Sequence, residues 1–365
     1  MAEVDRSRYL LTEEHNERIF REDIVPAELP GTSQRDPVVV FVAGQTGAGK
    51  SAVTALVEGV LARRGEAVNI DLDTYKPHHP RYQWLVDNDD ATAGAYTSID
   101  GHKWMEKAEA YAIQQRFDVV MESAMRDPRD FEEPARRFRA AGYRVEVVIV
   151  AVDESLSRLG ALDRYLQQTQ DLGAGRVIDA AIHDACYRGV LRSADAIDTE
   201  RLADHVFVSR RGGDIVYANH LGADGTWAQP AGTRTAVETE RGRTWTEAEA
   251  NRFLGNLQRL QVLAGQLPDA AQRFARPEAA AVVELAGRLL EAPARVRAAE
   301  LAAGMPQPDS DTAIGLLAMS HSAGPNRAVA SIGPGTARPV TGPAAGTAAE
   351  PRRAEVDRTG EDQGF

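Results

Sequence analysis

Six apolar residues in succession, Val38-Val39-Val40-Phe41-Val42-Ala43, run without a break into Gly44-Gln45-Thr46-Gly47-Ala48-Gly49-Lys50-Ser51. An unbroken apolar run of this length reads as a strand buried on both faces, and the next eight residues complete the G-x-x-x-x-G-K-S phosphate-binding loop. Residues 52–61 then place apolar side chains at helical spacing, so the loop sits where a strand ends and a helix begins. Glycines at 44, 47 and 49 allow a turn tight enough for several backbone N–H groups to face phosphate oxygens, and the helix start adds partial positive charge. Gly44 to Ser51 is therefore the candidate nucleotide-binding segment. Lys50 is expected to reach the β- and γ-phosphates of ATP, and Ser51 to ligate Mg²⁺.

Composition narrows the partners. The 365 residues carry a net charge of −12 and a pI near 5.3, which argues against nonspecific binding to nucleic acid or to an anionic membrane. Only four of the 42 basic residues are lysines, at 50, 76, 103 and 107, so a lysine in the loop is a meaningful choice for this chain. Cys186 is the single cysteine and can form no intramolecular disulfide, as in a reducing compartment. The first residues carry no signal-type apolar run and no segment reaches the length of a membrane span. A cytoplasmic location is expected.

Along the chain, residues 9–25 read as a helix with Thr12 as N-cap and Pro26 closing it. After the loop helix, residues 67–70 form a short strand that delivers Asp71-Leu72-Asp73. A polar stretch, 76–98, leads to a helix over about 101–115. Residues 118–121 form a third strand ending in Glu122, followed by a helix over 131–141. A central strand over 143–152 is followed by a helix capped by Asp153, and another helix spans about 176–191. Strand and helix alternate, which implies a mostly parallel sheet flanked by helices with right-handed crossovers: an α/β P-loop NTPase fold. Ligands of such sheets bind outside the carboxyl ends of the strands, where Gly44, Asp73 and Glu122 all fall. Residues 205–208 and 215–218 read as a strand and hairpin finishing the sheet. The expected organisation is an N-terminal helix and linker over 1–36, a kinase-type domain over 37–230, a helical appendage over 240–303 opened by the capping box Thr246-Glu247-Ala248-Glu249, and a disordered tail over 304–365. A second appendage helix is expected over 277–291.

Phosphoryl transfer to a hydroxyl needs a carboxylate near the acceptor and positive charge on the migrating group. Asp73 is the candidate base, with helix capping as the plainer alternative. Glu122 faces the same crevice and suits an acceptor hydroxyl or a metal, or else is a solvated strand end. Arg164 and Arg176 follow the fourth strand, where a phosphate clamp would stand, although an arginine-rich chain also places such residues on its surface. His78-His79 and His183 lack a companion ligand set and read as loop and packing residues.

Taken in order, Gly44–Ser51, Asp71-Leu72-Asp73-Thr74-Tyr75-Lys76-Pro77-His78-His79-Pro80, Glu122, Ala141-Gly142-Tyr143, Leu162-Asp163-Arg164-Tyr165, Arg176 and Ala181-Ile182-His183-Asp184 resemble the zeta toxin family of toxin–antitoxin kinases over about residues 10–220. The resemblance implies ATP- and Mg²⁺-dependent phosphorylation of the 3′-hydroxyl of the N-acetylglucosamine unit in UDP-N-acetylglucosamine. It also implies a small helical antitoxin as partner. By position it makes Lys50 and Ser51 the nucleotide and metal residues, Asp73 the general base, Glu122 an acceptor-site residue, and Arg164 with Arg176 the clamp. Two positions depart from the family pattern. Ser123-Ala124 stand where Gly-Thr usually follows the glutamate, and Thr46 stands where proline is frequent. The first departure bears on acceptor identity, so another nucleotide-like acceptor stays open beside UDP-N-acetylglucosamine, as does an ATP-binding switch with little transfer. Residues 240–303 read as accessory or partner-binding helices or as a restraint acting in cis, in which case their removal raises activity.

Overall fold

The structure, a computed structural model, describes residue 5, residues 7–173 and residues 175–307. The part of the expected tail beyond residue 307 lies outside the described residues. The strands are β1 (Val38–Ala43), β2 (Val68–Ile70), β3 (Val119–Ser123), β4 (Arg144–Val150), β5 (His205–Ser209) and β6 (Ile215–His220), in one sheet of order β2-β3-β1-β4-β5-β6. All pairs are parallel except β5 with β6. β1 lies between β3 and β4, and all six of its residues are buried. That central position is why its sequence never alternates with polar residues.

The helices are α1 (Glu13–Ile19), α2 (Val25–Glu28), α3 (Lys50–Leu61), α4 (Leu72–Tyr75), α5 (Tyr82–Tyr96), α6 (Ser98–Gln115), α7 (Arg129–Ala140), α8 (Glu154–Leu172), α9 (Ala180–Glu200), α10 (Thr233–Gly242), α11 (Glu247–Ala264), α12 (Asp269–Ala286) and α13 (Ala292–Ala303). They cover both faces of the sheet. Val39, Phe41, Val145 and Val147 pack into a core with Trp104, Phe131, Phe138 and Ile197, while Val38, Val40 and Val42 face Val53 and Leu61 of α3. Phe41 meets Phe131 edge to face at 4.8 Å between ring centres, a favourable arrangement of the two ring quadrupoles.

Several elements differ from the sequence expectation. Thr12 does cap α1, accepting a hydrogen bond from the His15 N–H, but the chain continues through a π-helical segment, Phe20–Ile24, into α2. Pro26 falls inside this continuous helical run, where it can donate no N–H to the preceding turn, and the π-helical segment stands just before it. The polar stretch before α6 contains α5, whose mixed composition gives little amphipathic signal. Arg176 precedes α9, which begins at Ala180 under the Asp179 cap. Pro277 lies inside α12, not at its start, and the alanine-rich α13 was not anticipated.

The region after residue 230 makes two kinds of contact. α10 packs beside the sheet, with Val237 fully buried in its core and Thr233 bonded to Asp198 of α9 through both N and Oγ1. α11, α12 and α13 build a second apolar core against α8, where Leu159, Leu162 and Leu166 meet Phe253, Leu257, Leu260 and Val282. The capping box at Thr246 and Glu249 opens α11 as expected. Met305 closes this core and is 1% exposed. Among the described residues no helix is long and apolar enough to cross a membrane.

Candidate active site

The loop from Gly44 to Ser51 emerges from β1 and ends at α3. Gly49 holds φ 86° and caps the helix without a side-chain bond, so no side chain competes for the first amides of α3, the usual place for an anion. Gly47, at φ 79°, lies against α8, and a Cβ there would stand 2.0 Å from the Ser157 carbonyl oxygen. The approach is close from the other side too, since a Cβ on Gly160 would lie 2.5 Å from the Gly47 oxygen. Gly160→Ala is therefore expected to destabilise the protein by about 1–3 kcal/mol through overpacking, although alanine alone would favour the helix by about 1 kcal/mol. Denaturant unfolding measures the balance, and a stabilised variant would contradict the packing described.

Lys50 Nζ donates to the Gly44 carbonyl at 3.0 Å. Burial pulls its pKa below the ordinary lysine value; Arg164 adds to this, while Glu122 and Asp71 oppose it. The Glu122 carboxylate accepts from Thr54 Oγ1 at 2.6 Å, which ties the end of β3 to the first turns of α3. Asp71 caps α4 by accepting from the Asp73 N–H. Burial lifts the Asp71 carboxyl above the usual aspartate range, and the charges of Asp73 and Glu122 push the same way.

Asp73 behaves oppositely. Burial would raise it, but a 2.6 Å bond from Lys76 Nζ together with the charges of Arg176 and Arg164 holds its carboxyl below the usual range. Lys76 is itself buried, with its side chain 7% exposed, whereas Asp73 is 64% exposed. An inaccessible ammonium thus presents an accessible carboxylate. Arg176 Nη1 lies 3.9 Å from Asp73. Arg164 is near enough to Arg176, Asp73 and Glu122 for all three charges to act on it, and its guanidinium is pulled down by burial and by Arg176.

The structure thus brings Lys50, Asp73, Glu122, Arg164 and Arg176 into one crevice at the carboxyl ends of the strands. Asp71, Thr54 and Lys76 join them as residues that sequence reasoning passed over. Lys76 carried a signal, being one of only four lysines. The donor types suit a divalent cation: Asp71 is near enough to Asp73 and Glu122 for their charges to act on it, and Ser51 lies in the first turn of α3.

The histidines take structural partners. His78 bonds Glu28, and buried His79 bonds the Tyr9 carbonyl. His183 meets Ser157 Oγ at 2.9 Å. Glu154 and Asp184 lie beside it at metal-ligand spacing, yet Arg158 already bridges them at 2.9 and 2.7 Å and supplies the positive charge there.

After Glu122, the Ser123 hydroxyl turns inward and accepts from the Met125 N–H. Met125 adopts φ 49° with its side chain fully buried, a conformation costing on the order of 1–3 kcal/mol that the surrounding packing must hold. Thr46 lies near the Cys186 thiol, so the loop approaches α9 there.

The Zeta toxin family profile matches residues 27–221. The chain is 26% identical over 133 residues to Toxin PezT of Streptococcus pneumoniae, covering 36% of this chain and 52% of PezT. It is 23% identical over 185 residues to Toxin zeta of Streptococcus pyogenes, covering 50% and 63%. The matched region therefore spans between half and two thirds of the length of these relatives. In three dimensions, a chain of the PezAT chromosomal toxin–antitoxin system of Streptococcus pneumoniae superposes with a TM-score of 0.60 at 18% identity, covering 70% of this chain and 98% of that one, and so shares its fold. With the profile covering more than half of its length, the chain belongs to the zeta toxin family.

Proposed function

We propose that the protein is an ATP-dependent kinase that transfers the γ-phosphoryl group to a hydroxyl of a nucleotide sugar, in the first instance the 3′-hydroxyl of UDP-N-acetylglucosamine, and that it acts as the toxin of a toxin–antitoxin pair. The observation that carries this reading is the accessible Asp73 carboxylate, held by Lys76 and faced by Arg176, in the same crevice as Lys50 and Glu122. A nucleotide switch needs the loop but no acceptor carboxylate.

In this reading the loop amides and Lys50 hold the polyphosphate, while Arg164 and Arg176 neutralise charge on the migrating group. Mg²⁺, when bound, offsets charge on the phosphate oxygens, and Ser51, Asp71 and Glu122 are the residues that would hold it. Asp73 stays ionised at neutral pH because its carboxyl is held low. It orients the acceptor hydroxyl and takes its proton late, as suits a loose transition state. Removing Lys76 takes away the largest influence that holds the Asp73 carboxyl low and raises its pKa, with Arg176 and Arg164 still opposing the rise. Lys76→Met is therefore expected to move the acidic limb of the kcat/KM profile to higher pH, and an unmoved limb would separate Asp73 from that limb.

A second acceptor, another UDP-sugar or nucleotide-like hydroxyl, is favoured by one observation. Ala124 has no hydroxyl where the family pattern has threonine, and the neighbouring Ser123 hydroxyl is turned inward onto the Met125 N–H. Mass spectrometry of products from ATP, Mg²⁺ and a panel of nucleotide sugars and nucleotides separates the two: phosphorylated UDP-N-acetylglucosamine supports the first, and a different phosphorylated member the second.

A further inference from the structure

Arg241, near the end of α10, is a buried cation with an unusual set of partners. It is 4% exposed, and among the described residues no carboxylate stands within ion-pair distance of it. Nη2 donates to Gln45 Oε1 at 2.9 Å and Nη1 to the Tyr187 carbonyl at 2.9 Å, while the guanidinium lies 3.9 Å from the centre of the Tyr187 ring. Gln45, the second residue of the phosphate loop, is fully buried, and its Nε2 donates to the Val152 carbonyl at 2.8 Å. Burying a charge with no carboxylate in contact is expensive, on the order of several kcal/mol, and Asp153, Glu238 and Glu154 offset that only from farther away. The guanidinium closes a chain of hydrogen bonds from α10 through the Gln45 side chain to Val152, in the segment between β4 and α8. That chain fixes the backbone between Gly44 and Thr46, whose Gly44 carbonyl also receives Lys50.

We infer that Arg241 is a positioning residue for the phosphate loop: it acts through Gln45 to preset the loop amides and Lys50 for the polyphosphate, with its charge placed behind the loop. Arg241 lies beyond residues 27–221 matched by the family profile. Nucleotide binding would then depend on a helix outside that region, and the helices after residue 230 assist the site. Their contacts with α8 agree. Leu159, Leu162 and Leu166 of α8 pack on α11 and α12, and the same helix carries Arg164 and the Gly160 contact with the loop. The expected sign is opposite to restraint in cis.

This inference rests on the nucleotide-binding reading of the loop, and two readouts keep the two apart. In the full-length protein, Arg241→Met is expected to speed amide hydrogen exchange over residues 44–51 and to raise the KM for ATP, each by about tenfold, with kcat changed less, as befits loss of hydrogen bonds from a charged group. Arg241→Lys, which keeps the charge and one donor, should fall between it and the wild type, and carries the comparison alone if the methionine variant does not fold. Val237→Ala on the same helix is the control for stability, since it opens a core cavity without touching Gln45. If loop exchange and ATP affinity in the Arg241 variants match those of Val237→Ala, the inference fails. If the wild type binds no ATP while loop exchange still rises in Arg241→Met, the positioning role stands and the kinase reading falls.

Discussion

Asp73→Asn is expected to lower kcat by about a thousandfold, within the range of a general base, and to leave ATP affinity unchanged. The carboxamide keeps the shape of the side chain and still accepts from Lys76, but it carries no charge and takes no proton. The location of the effect matters as much as its size. Asp73 is exposed beside Arg176 and is bonded by Lys76 rather than by the Gly44–Ser51 loop that would hold the nucleotide. A nucleotide titration and a single-turnover transfer assay on the same variant separate the two. Unchanged transfer with intact binding would remove Asp73 from the chemistry and favour the switch over the kinase.

Lys50→Met is expected to have an effect of similar size on transfer, again about a thousandfold from loss of one preorganised charge at the phosphates, but with a second signature. Burial opposes the lysine's charge in the free protein, so an apolar side chain of similar length should stabilise the fold by about 1 kcal/mol while abolishing function. The paired outcome, a raised unfolding midpoint with lost transfer, distinguishes a site residue from a structural one. A destabilised Lys50→Met would mean that its bond to the Gly44 carbonyl holds the loop more strongly than burial disfavours the charge.

How much of this was legible in the chain depends on the distance over which each feature is encoded. β1 and its loop were readable because burial on both faces and phosphate binding both impose a local pattern, written in fourteen consecutive residues. The placement of Asp73 and Glu122 on one side of the sheet was readable through topology, since a parallel sheet turns the carboxyl ends of its strands to one edge, although Glu122 lies inside β3 and Asp73 in α4. The Asp153 and Thr246 caps were local and were found. α5 was missed because its apolar and polar residues follow only a weak helical periodicity. Pro277 looked like a helix start, but flanking alanines let α12 run through it.

The partners of the site were the least legible. Nothing in the spacing couples Gln45 to Arg241, 196 positions later, or marks Lys76 as the buried counter-charge of Asp73. Thr54 looked like one more residue of an amphipathic helix until β3 brought Glu122 to it. These links depend on how elements from opposite ends of the chain pack, and no local pattern reports that.

The reaction proposed for this protein is direct transfer of a phosphoryl group from ATP to an acceptor hydroxyl beside Asp73. The most direct test is a single-turnover reaction of the full-length protein with ATP labelled at the γ-phosphate, Mg²⁺ and UDP-N-acetylglucosamine, run beside Asp73→Asn. The prediction is label recovered on the sugar hydroxyl with the wild type and absent with the variant. ATP bound by both proteins with no label on this or any other nucleotide-like acceptor would contradict it.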